Sequence, residues 1–136
     1  MPGVVSRPPC NSSGVIKLTF CLRRRDELTL EEFQRYWREE HAPLVRQHAE
    51  ALGIRKYVQL HSRPGPMDDA LRASRGGPEA YDGVAELWFD SLEALVSAAS
   101  SSEGLEAGAA LLADEQTFID LANSPLWLGE EFEVIG

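Results

Sequence analysis

The order of the periodic segments constrains the fold of this chain more than any other feature. Alternation of apolar and polar residues predicts strands over residues 15–22, 55–62 and 83–89, and a final strand over about 128–135. Helical periodicity separates the first strand from the second, and the third from the fourth. The chain therefore contains a strand–helix–strand unit twice, which predicts an α+β domain with an internal repeat.

Sequence signals mark both ends of the first helical region. Thr29 is a good N-cap, and Glu32 completes a capping box with it. Pro43 is expected to break or kink the helix, and Gly53 is expected to end it in the left-handed conformation. The helices of the second half are predicted at about 91–102 and 105–121.

The repeated unit is typical of the ferredoxin-like split βαβ arrangement, in which an antiparallel four-stranded sheet carries its helices on one face. We expect the other face to carry a mixture of charged, polar and aromatic side chains: Lys17, Thr19, Tyr57, Gln59, Glu86 and Trp88. Such a face is too polar for a dry core and too aromatic for full exposure to solvent. It therefore predicts a cavity that is closed by a second copy of the chain.

Two segments lie outside the repeat. Residues 1–14 are rich in proline, glycine and serine and are predicted to be a flexible lead-in to a single domain over 15–136. Residues 63–82 form a long loop with a short helix predicted over 67–74. Loops of this length in compact domains often act as lids or interface arms.

Composition restricts the class of partner. The chain has 22 acidic and 13 basic residues and a formal net charge of −9, so it lacks the basic excess that neutralises phosphates. Its two cysteines, Cys10 and Cys21, do not suggest a disulfide framework. No segment has the apolar length of a membrane span or the pattern of a signal peptide. We therefore expect a cytoplasmic protein that binds neither nucleic acid nor membranes.

A histidine late in the first helical region is the leading candidate for chemistry. His41 lies at the edge of the apolar side of the helix, and Pro43 removes the backbone donor that would continue the hydrogen-bond ladder. An imidazole titrates near neutral pH and can act as a general acid or base. The alternative is a structural histidine that hydrogen-bonds to a carbonyl freed by the proline. That carbonyl, or Glu40, is expected to fix which ring nitrogen carries the proton.

The run W-x-x-x-H-x-P-L, formed by Trp37, His41, Pro43 and Leu44, resembles the EthD family of the dimeric α/β-barrel superfamily. Weaker matches lie before the third strand and in the last helix: Tyr81, Asp82, Gly83, Asp114, Glu115 and Phe118. The resemblance implies a homodimer whose two sheets form a barrel. The wider superfamily includes cofactor-free monooxygenases, lactone isomerases, polyketide cyclases, dehydratases and decarboxylases.

Five more residues are candidates for substrate binding. Tyr57 and Glu86 are candidates to orient or polarise a substrate, with ordinary polar interface groups as the alternative. Trp37, Trp88 and Phe118 are candidates for apolar pocket wall, with plain core as the alternative. Neither the histidines nor the cysteines have the spacing of metal ligands, and no glycine-rich phosphate loop follows a strand. We expect no metal and no cofactor.

These features predict an enzyme in which His41 moves a proton in a cofactor-free dehydration, decarboxylation or isomerisation of a hydrophobic, oxygenated small molecule. One alternative is a cofactor-free oxidoreductase of the monooxygenase type, in which the same base makes a carbanion that oxygen attacks. The other is a non-catalytic ligand-binding accessory protein, for which the same pocket would suffice. Replacement of His41 separates the classes, because only catalysis needs its proton transfer.

Overall fold

The fold is taken from a computed structural model, which describes residues 14–136. The prediction that residues 1–14 form a lead-in therefore concerns a segment that lies almost wholly outside the described residues. Within residues 14–136 the strands are β1 (Ile16–Leu22), β2 (Lys56–His61), β3 (Gly83–Phe89) and β4 (Leu126–Gly129). They form one antiparallel sheet in the order β2–β3–β1–β4.

This strand order is that of the ferredoxin-like split βαβ fold. β3 lies between the two strands of the first unit, and β1 lies between the two strands of the second unit. The α+β fold class predicted from the sequence is therefore confirmed. In a single chain the sheet is open, with β2 and β4 at its edges.

The helical elements follow the predicted order. Those that accompany the sheet are α1 (Leu30–Tyr36), a π-helical turn (Trp37–His41), α2 (Ala42–Leu52), α4 (Leu92–Ser100) and α5 (Ser102–Phe118), whereas α3 (Pro66–Arg75) lies in the long loop between β2 and β3. No helix within residues 14–136 is both long enough and apolar enough to cross a membrane.

The caps of the first helical region form as predicted. The Thr29 hydroxyl accepts a hydrogen bond from the Glu32 backbone at 3.0 Å, and the Glu32 carboxylate accepts one from the Thr29 backbone at 2.9 Å. Gly53 ends the region at φ 72°, a conformation that costs glycine little. The start and the end of this region were therefore readable from local sequence alone.

The predicted break at Pro43 is instead a π-helical turn inside a continuous helical run. A regular α-helix would bring the Pro43 ring against the carbonyl of Glu39, and the ring has no N–H to donate. The chain avoids this by a wider turn, in which the Ala42 N–H donates to the Trp37 carbonyl instead of following the usual four-residue spacing. The turn buries both Trp37 and His41.

The register of the sheet corrects the predicted placement of Tyr57 and Gln59. Tyr57 lies opposite Leu87 on β3, and Leu87 lies opposite Leu18 on β1, so Tyr57 shares their helix-covered face. Gln59, two residues further along β2, lies on the same face. The outer face instead carries Lys17, Thr19, Lys56, Val58, Leu60, Val84, Glu86 and Trp88. Both faces of β2 are mixed in polarity, so alternation alone did not show which one faces the helices.

The last strand is shorter and earlier than predicted. β4 pairs with β1 from Leu126, opposite Phe20, to Gly129, opposite Lys17. Because β1 begins at Ile16, almost no partner remains for residues after Gly129. The alternating residues at 130–135 therefore form no strand.

The long loop contains the predicted short helix, here α3, and its residues are mostly exposed. The Arg23 guanidinium fixes the far end of the loop, since it donates to the Ala80 carbonyl at 2.7 Å and lies 4.1 Å from the Tyr81 ring centroid. Arg24 forms an ion pair with Asp82. Arg23 and Arg24 therefore anchor the loop.

The core lies between the sheet and the helices around an aromatic cluster that includes Phe33, Trp37 and Phe118. Gly83, the first residue of β3, allows Trp37 to pack directly against the backbone. A Cβ atom added at Gly83 would overlap the Trp37 ring and lie 3.0 Å from the Leu60 carbonyl oxygen.

We therefore expect Gly83→Ala to lower the free energy of unfolding by about 2 kcal/mol, because the buried Trp37 ring, which packs against Phe33 and His61, would have to shift to make room for the added methyl group. Urea denaturation followed by circular dichroism measures this. Gly129→Ala is the matched control, since Gly129 is also in a strand and an added Cβ there meets no atom within 4 Å. Equal stability of the two variants would contradict this account of the packing.

Candidate active site

A cavity of about 260 Å³ lies between the helix-covered face of the sheet and the helices. Most of its wall is apolar and includes Leu18, Phe20, Leu87, Phe89, Leu95 and Leu111. The titratable side chains on the wall, within the described part of the chain, are His41, Tyr57 and Glu115. Ligand pockets usually span roughly 300–1,000 Å³. The cavity is slightly smaller than this range, so it suits a small organic molecule.

His41 is held in the wall of this cavity by a carboxylate from α5. Its side chain is buried, with 4% of the residue exposed, and Nδ1 lies 2.7 Å from Asp114 Oδ2. Asp114 Oδ1 accepts a second hydrogen bond from the Tyr36 hydroxyl at 2.6 Å. Because an ionised carboxylate can only accept, His41 carries its proton on Nδ1. Nε2 therefore keeps its lone pair and can act as a base.

Burial lowers the pKa of His41 below its ordinary value, and the hydrogen bond and negative charge of Asp114 oppose this shift without reversing it. The imidazole is therefore neutral at neutral pH, which is the form that a general base requires. The expectation that Glu40 or a freed carbonyl orients the ring was wrong. Glu40 is exposed, and Asp114 from α5 takes that position.

Glu115 is a cavity residue that the sequence reasoning did not single out as a functional group. Burial raises the pKa of its carboxyl group to about 7, and the neighbouring charge of Asp114 acts in the same direction. Within residues 14–136 no side chain or backbone group donates a hydrogen bond to this carboxylate. The group therefore exists in both protonation states near neutral pH and can donate or accept a proton.

The periodicity of α5 contains a signal for Glu115. Ala107, Leu111 and Phe118 are buried, and helical spacing places Glu115 between the last two on the same face. A carboxylate in an otherwise apolar stripe is a candidate for a perturbed pKa. The pattern was therefore available in the sequence, although the cavity that the stripe faces was not.

Tyr57 is placed to donate a hydrogen bond to a ligand. Its hydroxyl oxygen accepts a hydrogen bond from Gln59 Nε2 at 2.9 Å, which leaves the phenolic proton available. Burial raises the pKa of Tyr57, while hydrogen bonds from Gln59 and Trp37 act in the opposite direction. The hydroxyl is therefore protonated at neutral pH and can polarise a ligand oxygen.

The structure brings some of the predicted site residues together and separates others. Trp37, Tyr57 and His41 line the cavity, and Phe118 lies behind the His41 ring at a centroid distance of 5.1 Å. Phe118 therefore supports the catalytic candidate.

Glu86 and Trp88 lie on the outer face of the sheet, away from this cavity. Glu86 pairs with Lys17 at 3.1 Å, and the Trp88 indole N–H donates to Glu131. The ammonium groups of Lys17 and Lys56 lie 4.7 and 4.6 Å from the Trp88 ring centroid. Trp88, which was expected to line the pocket, is not part of the wall of this cavity.

The donor set does not suggest a metal centre. Residues 14–136 contain no group of three or more histidine, cysteine, aspartate or glutamate side chains arranged to hold a metal ion. The polar groups of the cavity instead suit proton transfer, because a neutral imidazole, a phenol and a carboxyl group with a pKa near 7 meet one ligand space.

Comparison with known families and structures gives a consistent result. A family model described as "EthD domain" matches residues 25–122. No curated protein is significantly similar to the chain in sequence.

Three solved structures illustrate the fold similarity. An EthD family protein from Bacillus halodurans C-125 is 23% identical with a TM-score of 0.59, and the match covers 87% of this chain and 99% of that one. A dimeric ferredoxin-like protein of unknown function from Thermobifida fusca YX is 13% identical with a TM-score of 0.54, covering 86% and 91%. SnoaB from Streptomyces nogalater, described as a cofactor-independent oxygenase, is 12% identical with a TM-score of 0.53, covering 90% and 97%.

The raised pKa of Glu115 predicts a pH-dependent contribution to stability. The carboxyl group titrates near 4.5 in an unfolded chain and near 7 in the folded protein, so the folded state favours the protonated form. This stabilisation is fully present below pH 4.5 and is lost as the pH rises through 7. Glu115→Gln removes the titration. As the pH rises from 5 to 8, we expect the unfolding free energy of the variant to increase relative to that of the wild type, by up to about 2 kcal/mol.

Urea denaturation of the wild type and the variant at both pH values measures this difference. Glu106→Gln is the matched control, because Glu106 lies exposed on the same helix. If the Glu115→Gln and Glu106→Gln variants have the same pH dependence, Glu115 is not desolvated in the folded protein.

Proposed function

This chain belongs to the EthD family, and we propose that it is an enzyme that moves a proton on a hydrophobic, oxygen-bearing small molecule without a cofactor. One observation carries the proposal: His41 lines an apolar cavity while its Nδ1 is bound to Asp114 at 2.7 Å. This bond leaves Nε2 of a neutral imidazole as the base. The aliphatic walls hold the body of the substrate and exclude water.

The cavity supplies a group for each part of a proton transfer. Tyr57 donates a hydrogen bond to a carbonyl oxygen of the substrate, which acidifies the neighbouring C–H bond. His41 Nε2 accepts that proton, and Asp114 stabilises the resulting imidazolium. The electron pair of the C–H bond moves onto the carbonyl oxygen, where the Tyr57 hydroxyl stabilises the negative charge.

The possible reactions differ in where a proton is delivered afterwards and in whether Glu115 supplies it. Return of a proton to a different carbon gives an isomerisation. Delivery of the Glu115 proton to a departing hydroxyl group gives a dehydration, with water as the leaving group. A decarboxylation would start from a different step: the C–C bond to the carboxylate breaks instead of a C–H bond, and its electron pair moves onto the carbonyl oxygen that Tyr57 holds. The Glu115 proton then goes to the carbon that has lost carbon dioxide.

Oxygenation is a second candidate, supported by the fold similarity to SnoaB. The carbanion that His41 generates would in that case react with molecular oxygen instead of taking back a proton. Oxygen uptake in a closed cell separates this reaction from the others, since proton transfer alone consumes no oxygen.

His41→Asn tests the proposed role directly, because asparagine keeps hydrogen-bonding capacity but cannot titrate near neutral pH. A panel of apolar, enolisable ketones and lactones is incubated with the protein in deuterium oxide, and deuterium incorporation is followed by NMR. We expect the wild type to exchange at least one class of compound, and His41→Asn to slow that exchange by about a hundredfold.

His48→Asn is the matched control, since His48 lies on the same helical run but does not line the cavity. Its exchange rate is expected to equal that of the wild type. A folded His41→Asn variant with the wild-type rate would show that the histidine is structural. Binding of apolar compounds without any exchange would favour the ligand-binding alternative.

We also propose that the protein is a homodimer, with the outer faces of two sheets closing a barrel. Val58 and Leu60 leave apolar surface exposed on that face beside charged neighbours, a composition typical of an interface. The similar structure from Thermobifida fusca is described as dimeric, which supports the same arrangement here.

Leu60→Glu is expected to weaken the dimer at least tenfold, because the interface would bury a carboxylate that has no partner. Light scattering across a concentration series measures the effect. Leu71→Glu is the control, since Leu71 is exposed to a similar extent, 53% against 57%, but lies on α3. A wild-type protein that is monomeric at micromolar concentration would refute the proposal.

A further inference from the structure

A second hollow of about 190 Å³, here called the groove, lies between α2 and the start of β2. The α2 side of this groove presents Ala42, Val45, Arg46 and Ala49, which share one face of the helix. The two alanines leave the space that a larger side chain would fill. The other side is the segment from residue 54 to residue 57.

The charge of this groove is opposite to that of the whole chain. Arg46, Arg55 and Lys56 line it, and no carboxylate does, although acidic residues outnumber basic ones by 22 to 13 in the sequence. Arg55 is paired with Asp90 at 2.8 Å, and the Lys56 ammonium lies over the Trp88 ring on the outer face of the sheet, away from the groove. Arg46 forms no ion pair or hydrogen bond with any residue from 14 to 136.

The groove adjoins the cavity that contains His41. Val45, Ile54 and Tyr57 belong to the walls of both hollows. Ala42, which lines the groove, directly follows His41 in the chain. The two hollows are therefore adjacent, and a ligand that passes between Val45 and Tyr57 would have its apolar body in the larger cavity and its polar end beside Arg46.

We propose that the groove is an anion subsite and that the substrate is an apolar molecule bearing a carboxylate or a similar anionic group. The aliphatic cavity takes the hydrocarbon part, and the Arg46 guanidinium takes the anion, with Arg55 as a further positive charge at the groove. The positive groups at the groove also attract an anionic ligand from solution, although the protein as a whole is acidic. This inference rests on the proposed function only for the identity of the cavity in which the reaction occurs.

Calorimetric titration with octanoate and 1-octanol tests the subsite. The two probes have the same chain length, and hydrophobic transfer alone would favour the uncharged alcohol. We expect octanoate to bind more tightly. Arg46→Gln should weaken octanoate binding about two- to fivefold, the range of a solvent-exposed charge interaction, and leave 1-octanol binding unchanged.

Arg35→Gln is the matched control, because Arg35 is exposed on the same helical run and lines neither hollow. The Arg46→Gln/Arg55→Gln double variant should lose more affinity for octanoate than either single variant. Raising the salt concentration from 0.05 M to 0.5 M should weaken octanoate binding only. The subsite is refuted if octanoate binds no better than 1-octanol, if neither probe binds, or if Arg46→Gln behaves like Arg35→Gln.

The result can be separated from the test of catalysis. His41→Asn should keep the preference for octanoate over 1-octanol, because the histidine lines the cavity that takes both hydrocarbon chains and is not part of the groove. A wild-type protein that catalyses deuterium exchange but binds octanoate no better than 1-octanol would refute the subsite alone. A His41→Asn variant that exchanges deuterium at the wild-type rate and still prefers octanoate to 1-octanol would refute the catalytic role alone.

Discussion

The candidate site depends on a conflict between Pro43 and regular helix geometry. A proline in the interior of an α-helix cannot donate to the preceding turn, and its ring strikes a carbonyl there. Here one π-helical turn resolves that conflict, and it is the same turn that buries Trp37 and His41. The Trp37 carbonyl, which accepts from Ala42 in that turn, also accepts from Gln59 on β2 at 2.9 Å. The irregularity of the helix is therefore tied to the sheet, and the histidine is fixed between the two.

Local signals made most of the fold predictable. The capping box at Thr29, the glycine at the end of the first helical run and the alternation of β1 and β3 each act over a few residues, so the sequence displays them directly. The misplaced face of β2 and the overextended final strand have a different origin. Both depend on which residues of another strand lie alongside, and only the register supplies that information.

The site was predictable to a smaller extent for the same reason. His41 stood out because its neighbours in the chain are unusual. Its orienting partner, Asp114, is 73 positions away, and no local pattern relates the two residues. Glu115 follows Asp114 on α5, so one stretch of that helix supplies both the carboxylate that orients the base and a second group able to carry a proton.

The sharing of one cavity by His41 and Glu115 makes their protonation states interdependent. The pKa of Glu115 is near 7 while the imidazole is neutral and Asp114 is the nearby charge. When Nε2 takes a proton from a ligand, a positive charge forms at the cavity wall and favours the ionised carboxylate, so the pKa of Glu115 falls. In the proposed reaction, each turnover would thus change the pKa of the carboxyl group that serves as the acid. A charged imidazole would make the Glu115 carboxyl group a stronger acid at the step in which the substrate takes up a proton elsewhere.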